Sequence, residues 1–202
     1  ATDLIKSSEQ SLILHNICGA ANAALKRYDA AIENYKSAID LNPNYADAFN
    51  NMGIAQQENN DLDGAISSYN KAIEIKPNFA EAFNNLGNLY RIIGNYDEAH
   101  RCGQKAIHLK PDYPEAYNNL GNTFFELSKN DDAVTAYKKA LQLNPAYPEA
   151  YINLGNVSQK LIDFDEAISL YKKAIAINVN CQEAYVCPAE ALDRRNLIRE
   201  LS

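Results

Sequence analysis

Asparagine is the residue whose type and spacing most invite a chemical reading. Asn50, Asn51 and Ile54 form a group that returns as Asn84, Asn85 and Asn88, then as Asn118, Asn119 and Asn122, then as Asn153 and Asn156, at a constant step of 34 residues. A carboxamide offers two donors and an acceptor, so a column of them can pair with the main chain of an extended peptide whatever its side chains. Asparagine is also a poor choice inside a helix, where it competes with the backbone, so its recurrence in register asks for a reason. The competing account is structural: carboxamides that face water and steady neighbouring turns. The doubled pairs Asn50-Asn51, Asn84-Asn85 and Asn118-Asn119 favour binding.

Other chemistry finds less support. Cys18, Cys102, Cys181 and Cys187 contain no CxxC pair and have no His at metal spacing, so no metal site is expected. They fit reduced, mostly buried thiols of a cytoplasmic protein. Cys181 and Cys187 are close in sequence, but a helix between them would hold them apart. His15, His100 and His108 share no predictable site with a cysteine or a carboxylate pair, so no catalytic residue is assigned and the chain is read as a non-enzyme. Glycine recurs singly, without a phosphate loop, and no cofactor is implied. Asn156-Val157-Ser158 matches a glycosylation sequon by chance, lying mid-helix without a secretory signal.

Net charge is −7 and the pI is near 5.0, which argues against nucleic acid as a partner, since a phosphate backbone needs a basic stripe. No apolar run approaches the roughly 18 residues needed to cross a bilayer, so no membrane insertion is expected. Leu4-Ile5 and Leu12-Ile13-Leu14 are too short and interrupted for an export signal.

The elements that must carry these residues follow from the same period. Tyr45-Ala-Asp-Ala-Phe-Asn-Asn-Met-Gly53 is rewritten up to Gly87, Gly121 and Gly155, and Gly19 extends the series backwards. Rows of 34 run 12–45, 46–79, 80–113, 114–147 and 148–181. Residues 1–11 form a lead-in extending the first helix, and 182–202 form a partial repeat or capping helix. Each row holds two apolar blocks at helical spacing, parted by a turn cluster such as Asn59-Asn60-Asp61 and closed by Pro43, Pro77, Pro111 or Pro145. Gly19, Gly53, Gly87, Gly121 and Gly155 share one register of the first helix. Ala31, Ala65, Ala99, Ala133 and Ala167 share one of the second. A mid-helix glycine costs about 0.5–1 kcal/mol, so close helix–helix approach must compensate. His15, Phe49, Phe83, Tyr117 and Tyr151 form one set of large residues beside this notch, and Tyr35, Tyr69, Tyr137 and Tyr171 another.

This pattern resembles the tetratricopeptide repeat: in row 80–113 it reads Phe83, Leu86-Gly87, Tyr90, Ala99, Ala106 and Pro111. The Asn-rich rows are most similar to the array of O-linked N-acetylglucosamine transferase-like and related bacterial proteins. The resemblance implies an all-α fold, a right-handed superhelical solenoid of stacked antiparallel helix–turn–helix repeats. It also implies that first helices line a concave groove and that asparagines there hold a peptide. The groove residues carried over are Asn50, Asn51, Asn84, Asn85, Asn88, Asn118, Asn119, Asn122, Asn153 and Asn156, with Arg91 and Lys160 as its few cations.

Asp47, Glu81, Glu115, Glu149 and Glu183 recur near the start of each first helix, where attraction to the helix N-terminus is worth about 0.3–1 kcal/mol. With Glu58 and Glu126 they make the groove acidic, so an extended polar or basic peptide suits it. A clamp for an acidic C-terminal tail is excluded, because Asn and Glu hold its positions. The expected function is a protein–protein interaction module. The alternatives are a substrate-recruiting accessory array of a larger glycosyltransferase or sulfotransferase, or a scaffold self-associating through array ends.

Three departures stand out. Gly103 replaces the second-helix tyrosine, which forfeits on the order of 2–3 kcal/mol of burial, so Gly103→Tyr is expected to raise the melting temperature. Val179 replaces the closing proline. Pro188 falls inside the sixth first-helix, and with the charged run Asp193-Arg194-Arg195 it marks a terminal cap.

Overall fold

The structure, a computed structural model, describes residues 2–178, with side chains from residue 10 onward. Val179, Cys181, Glu183, Cys187, Pro188 and the capping segment 182–202 lie outside the described residues. The described residues form ten helices and no strand. They divide into two units, Ala1–Asn95 and Tyr96–Ser202. None of these helices is long and apolar enough to cross a membrane.

The first unit holds α1 (Thr2–Ala24), α2 (Tyr28–Leu41), α3 (Ala46–Glu58), α4 (Leu62–Ile75) and α5 (Ala80–Ile92). The second holds α6 (Tyr96–Leu109), α7 (Pro114–Glu126), α8 (Asn130–Leu143), α9 (Pro148–Lys160) and α10 (Phe164–Ile177). Within each unit every helix packs on the next. The odd-numbered helices also touch one another, α1 with α3, α3 with α5 and α7 with α9. No such contact joins α2 to α4 or α8 to α10 among the described residues. The first helices therefore form the closer-spaced layer of each unit, the geometry of an inner face.

Small residues explain the close approach. Gly53 lies against the Tyr69 ring, and an added Cβ would sit 2.7 Å from its Cε1. Gly19 meets Tyr35 in the same way, Gly121 meets Tyr137 and Gly155 meets Tyr171. Of the two aromatic sets suggested by the sequence, the second-helix tyrosines are thus the ones that fill the glycine notch. These tyrosines are almost fully buried, while Phe49, Tyr117 and Tyr151 are half-buried. Ala48, Ala82, Ala116 and Ala150 are fully buried early in their helices. A larger side chain there would hold off the preceding second helix.

The turn inside each pair closes with one residue in the left-handed region: Lys26, Asn60, Gly94, Ser128 and Ile162, with φ of 57, 62, 80, 57 and 67°. The next residue's N–H returns to the carbonyl five back, as Asp61 to Gln56 at 2.8 Å and Asp163 to Ser158 at 2.9 Å, which satisfies the helix end. Asp61 and Asp163 then cap the following helix, accepting from the N–H of Gly64 at 3.0 Å and Glu166 at 3.1 Å. Ile162 is a β-branched residue in this conformation, at a cost of about 1–2 kcal/mol.

Gly103 differs from these notches. A Cβ there would lie 3.3 Å from Leu120 Cδ1, its nearest neighbour on the next first helix. Leu120 also borders an open pocket of about 390 Å³ with Tyr117, Phe124 and Ala136, which gives it space to shift. Gly103→Ala is expected to gain about 0.5–1 kcal/mol from helix propensity and raise the melting temperature by roughly 2 °C, read by calorimetry. A lowered value would mean that Leu120 cannot yield.

Candidate functional site

The asparagines fall into three columns along the first helices, and the structure gives each column a different role. Asn50, Asn84 and Asn118 are buried, with 7%, 6% and 5% exposure, and Asn50 and Asn118 face the next first helix. Asn51, Asn85, Asn119 and Asn153 follow one residue later and are half-buried. The two columns interlock. Asn51 Nδ2 donates to Asn16 Oδ1 at 3.3 Å, Asn85 Nδ2 to Asn50 Oδ1 at 3.0 Å, and Asn153 Nδ2 to Asn118 Oδ1 at 3.0 Å. Each bond ties one repeat to its predecessor, and those to Asn50 and Asn118 satisfy acceptors that burial would otherwise leave costly.

This pairing also orients the outer amides. In Asn51, Asn85 and Asn153 one N–H of the amide turns back toward the preceding repeat. Asn118 is held from a second direction by the phenol of Tyr147. Burial, then the carboxylates of Glu115 and Glu149, push that phenol up to about 12 although the Asn118 hydrogen bond opposes them. Tyr147 therefore stays a neutral phenol in the physiological range and serves as a structural partner.

The third column secures the second helices. Asn122 Oδ1 accepts from Tyr137 Oη at 2.7 Å, and Asn156 Oδ1 accepts from Tyr171 Oη at 2.8 Å. Tyr171 also reaches Gln159 Oε1 at 3.0 Å. Ile54 occupies this column in α3, and there Tyr69 donates to Gln57 Oε1 at 3.3 Å instead. Asn88 accepts from Arg91 Nη2 at 3.0 Å.

Both cations are partly engaged. Lys160 Nζ donates to Ser128 Oγ at 3.2 Å and lies 4.6 Å from the Phe125 ring centroid. Arg91 keeps a buried Nε with no acceptor among the described residues. Asp47, Glu115 and Glu149 are exposed in the first turns of α3, α7 and α9, and Glu81 is half-exposed in α5. Among the described residues no three His, Cys, Asp or Glu side chains are grouped so as to hold a metal. Cys102 is buried, which pushes its thiol up to about 11 and leaves it a poor nucleophile. His100 packs against the Phe124 ring at 5.3 Å, a packing role.

The side-chain bonds across repeats were not visible in the sequence, where two asparagines in register look alike. Their only signal was the doubling itself: one amide of each pair is buried and needs a partner, and the other, a row later, supplies it.

A family model described as TPR repeat matches residues 19–60, 58–91, 87–128 and 121–161, and one described as tetratricopeptide repeat matches 148–180. No curated protein matches the chain. Among solved structures, MamA is 26% identical, with 84% of this chain and 92% of that one covered and a TM-score of 0.67. A thermophilic TPR protein of Thermus thermophilus is 23% identical over 92% of this chain and 98% of its own, with a TM-score of 0.76. YrrB, described as a TPR protein with an unusual peptide-binding site, is 19% identical over 91% and 95%, with a TM-score of 0.64. These last two likenesses show the fold alone. With its glycine notches, buried alanines and family matches running from residue 19 to 180, the chain belongs to the tetratricopeptide repeat family.

Proposed function

We propose that the chain is a protein–protein interaction module whose rows 12–45, 46–79, 80–113, 114–147 and 148–181 present first-helix faces to an extended peptide. The observation that carries this reading is the placement of Asn51, Asn85 and Asn153, each of which gives one amide N–H to the preceding repeat and keeps a second N–H and a carbonyl oxygen for a ligand. A row of carbonyl oxygens at the spacing of adjacent first helices accepts N–H groups, which every peptide main chain supplies whatever its side chains. The acids Asp47, Glu81, Glu115 and Glu149 beside them favour a polar or basic segment over an acidic one. Such a partner fits the chain's net charge of −7.

The test is the triple variant Asn85→Ala, Asn119→Ala, Asn153→Ala, probed with peptides selected on the wild-type chain from a random display library. Binding should fall to background while the helical circular dichroism at room temperature is unchanged. The melting temperature should drop, because Asn50 and Asn118 each lose a donor to a buried oxygen, at about 1–3 kcal/mol apiece. Unaltered peptide binding would leave the carboxamides a purely structural role.

A further inference from the structure

The inner face of the first unit changes character at its N-terminal end. Where α3 and α5 carry Asp47 and Glu81, α1 carries Ile13, and where they carry Asn51 and Asn85, α1 carries Ile17. Ile13 and Ile17 are 53% and 58% exposed, and Ile54 on the adjoining α3 is 40% exposed. These three residues place an apolar patch beside the acidic and carboxamide columns, because α1 touches α3 and α3 touches α5.

We infer that this patch is an anchor site for a peptide bearing one large aliphatic or aromatic side chain followed by lysine or arginine. The inference rests on the reading of the first-helix face as peptide-binding. Adjacent packed helices lie about 8–10 Å apart, and an extended chain advances about 3.3 Å per residue, so the register follows. With the apolar residue on Ile13 and Ile17, a basic residue about three positions on reaches Asp47, and another about six positions on reaches Glu81. Charge complementarity selects this occupant. A second copy of the chain would bring the same acidic columns with it.

The probe is a display library of random peptides about twelve residues long, long enough to span three first helices. It is selected in parallel on the wild-type chain, on Ile17→Asn, which installs the residue of the later rows, and on Asn51→Ala with Asn85→Ala. Wild type should enrich a large apolar residue spaced about three and six positions from Lys or Arg. Ile17→Asn should keep the basic enrichment and lose the apolar one. A synthetic copy of the leading wild-type peptide should bind Ile17→Asn about tenfold more weakly by fluorescence anisotropy, the loss expected for one buried aliphatic contact. The anchor is overturned if Ile17→Asn selects the same peptides, or if wild type enriches acidic ones. It is also overturned if sedimentation shows a wild-type dimer that Ile17→Asn dissolves, since a second copy then covers the patch. Basic peptides without an apolar position, lost only in the asparagine variant, would sink the anchor and keep the groove. No enrichment on wild type would remove both.

Discussion

Tyr171→Ala is expected to lower the unfolding free energy by about 3–5 kcal/mol, the range for truncating a buried aromatic, whereas Tyr171→Phe costs about 1 kcal/mol. The ring is fully buried and packs in one cluster with Ile152, Phe164, Ala167 and Ala174. It also fills the notch at Gly155, where an added Cβ would lie 2.5 Å from its Cε1. Removing it leaves a cavity beside a glycine that has no side chain with which to close it, so relaxation recovers little. The hydroxyl is a separate matter, donating to Asn156 Oδ1 and Gln159 Oε1. Phenylalanine keeps the packing and loses only those bonds, from a half-buried Asn156 that water can partly compensate. Urea unfolding followed by circular dichroism measures both. Stability in stacked repeats is a sum of local and nearest-neighbour terms, so the alanine variant should melt first around α9 and α10. Equal losses for the two variants would mean that the hydroxyl, and not the ring, holds this pair together.

The fold was legible because the signals that decide it are local and repeated. A glycine and an alanine in fixed registers of two amphipathic blocks can be satisfied only by two helices in close contact, and Gly53 against Tyr69 is that contact. The left-handed turn residue was readable only where its type announces it, at Gly94 and Asn60. Lys26, Ser128 and Ile162 adopt the same φ because the packing of the flanking helices requires the turn, overriding a residue preference that opposes it. The asparagine columns were visible as a pattern but not as a mechanism. Periodicity puts Asn50 and Asn84 in one register and Asn51 and Asn85 in the next, yet only coordinates show that Asn85 donates to Asn50 at 3.0 Å. The bonds between repeats use one N–H of each outer amide, and the binding proposed above uses the rest of the group. On that proposal binding and stability are coupled, since an alanine that removes an outer amide also strands a buried acceptor.

Gly121→Ala tests the packing claim most sharply, because two effects of known size oppose each other. Helix propensity alone favours alanine by about 0.5–1 kcal/mol at a mid-helix position. The new Cβ, however, would lie 2.6 Å from Tyr137 Cε1 and 2.7 Å from Cδ1, closer than side-chain carbons are found. The ring has nowhere to go: it is 1% exposed, and its hydroxyl is tied to Asn122 Oδ1 at 2.7 Å. Overpacking of this kind costs about 1–3 kcal/mol, so the net expectation is a loss of about 1–2 kcal/mol. For a chain of this length that is a fall in melting temperature of roughly 3–8 °C by calorimetry. Gly103→Ala is the internal control, since it makes the same chemical change in a helix of the same unit where the neighbour is a movable leucine. Opposite signs for the two substitutions would place the constraint in the tyrosine notch. If both raise the melting temperature, backbone propensity dominates and the recurring glycine needs another cause.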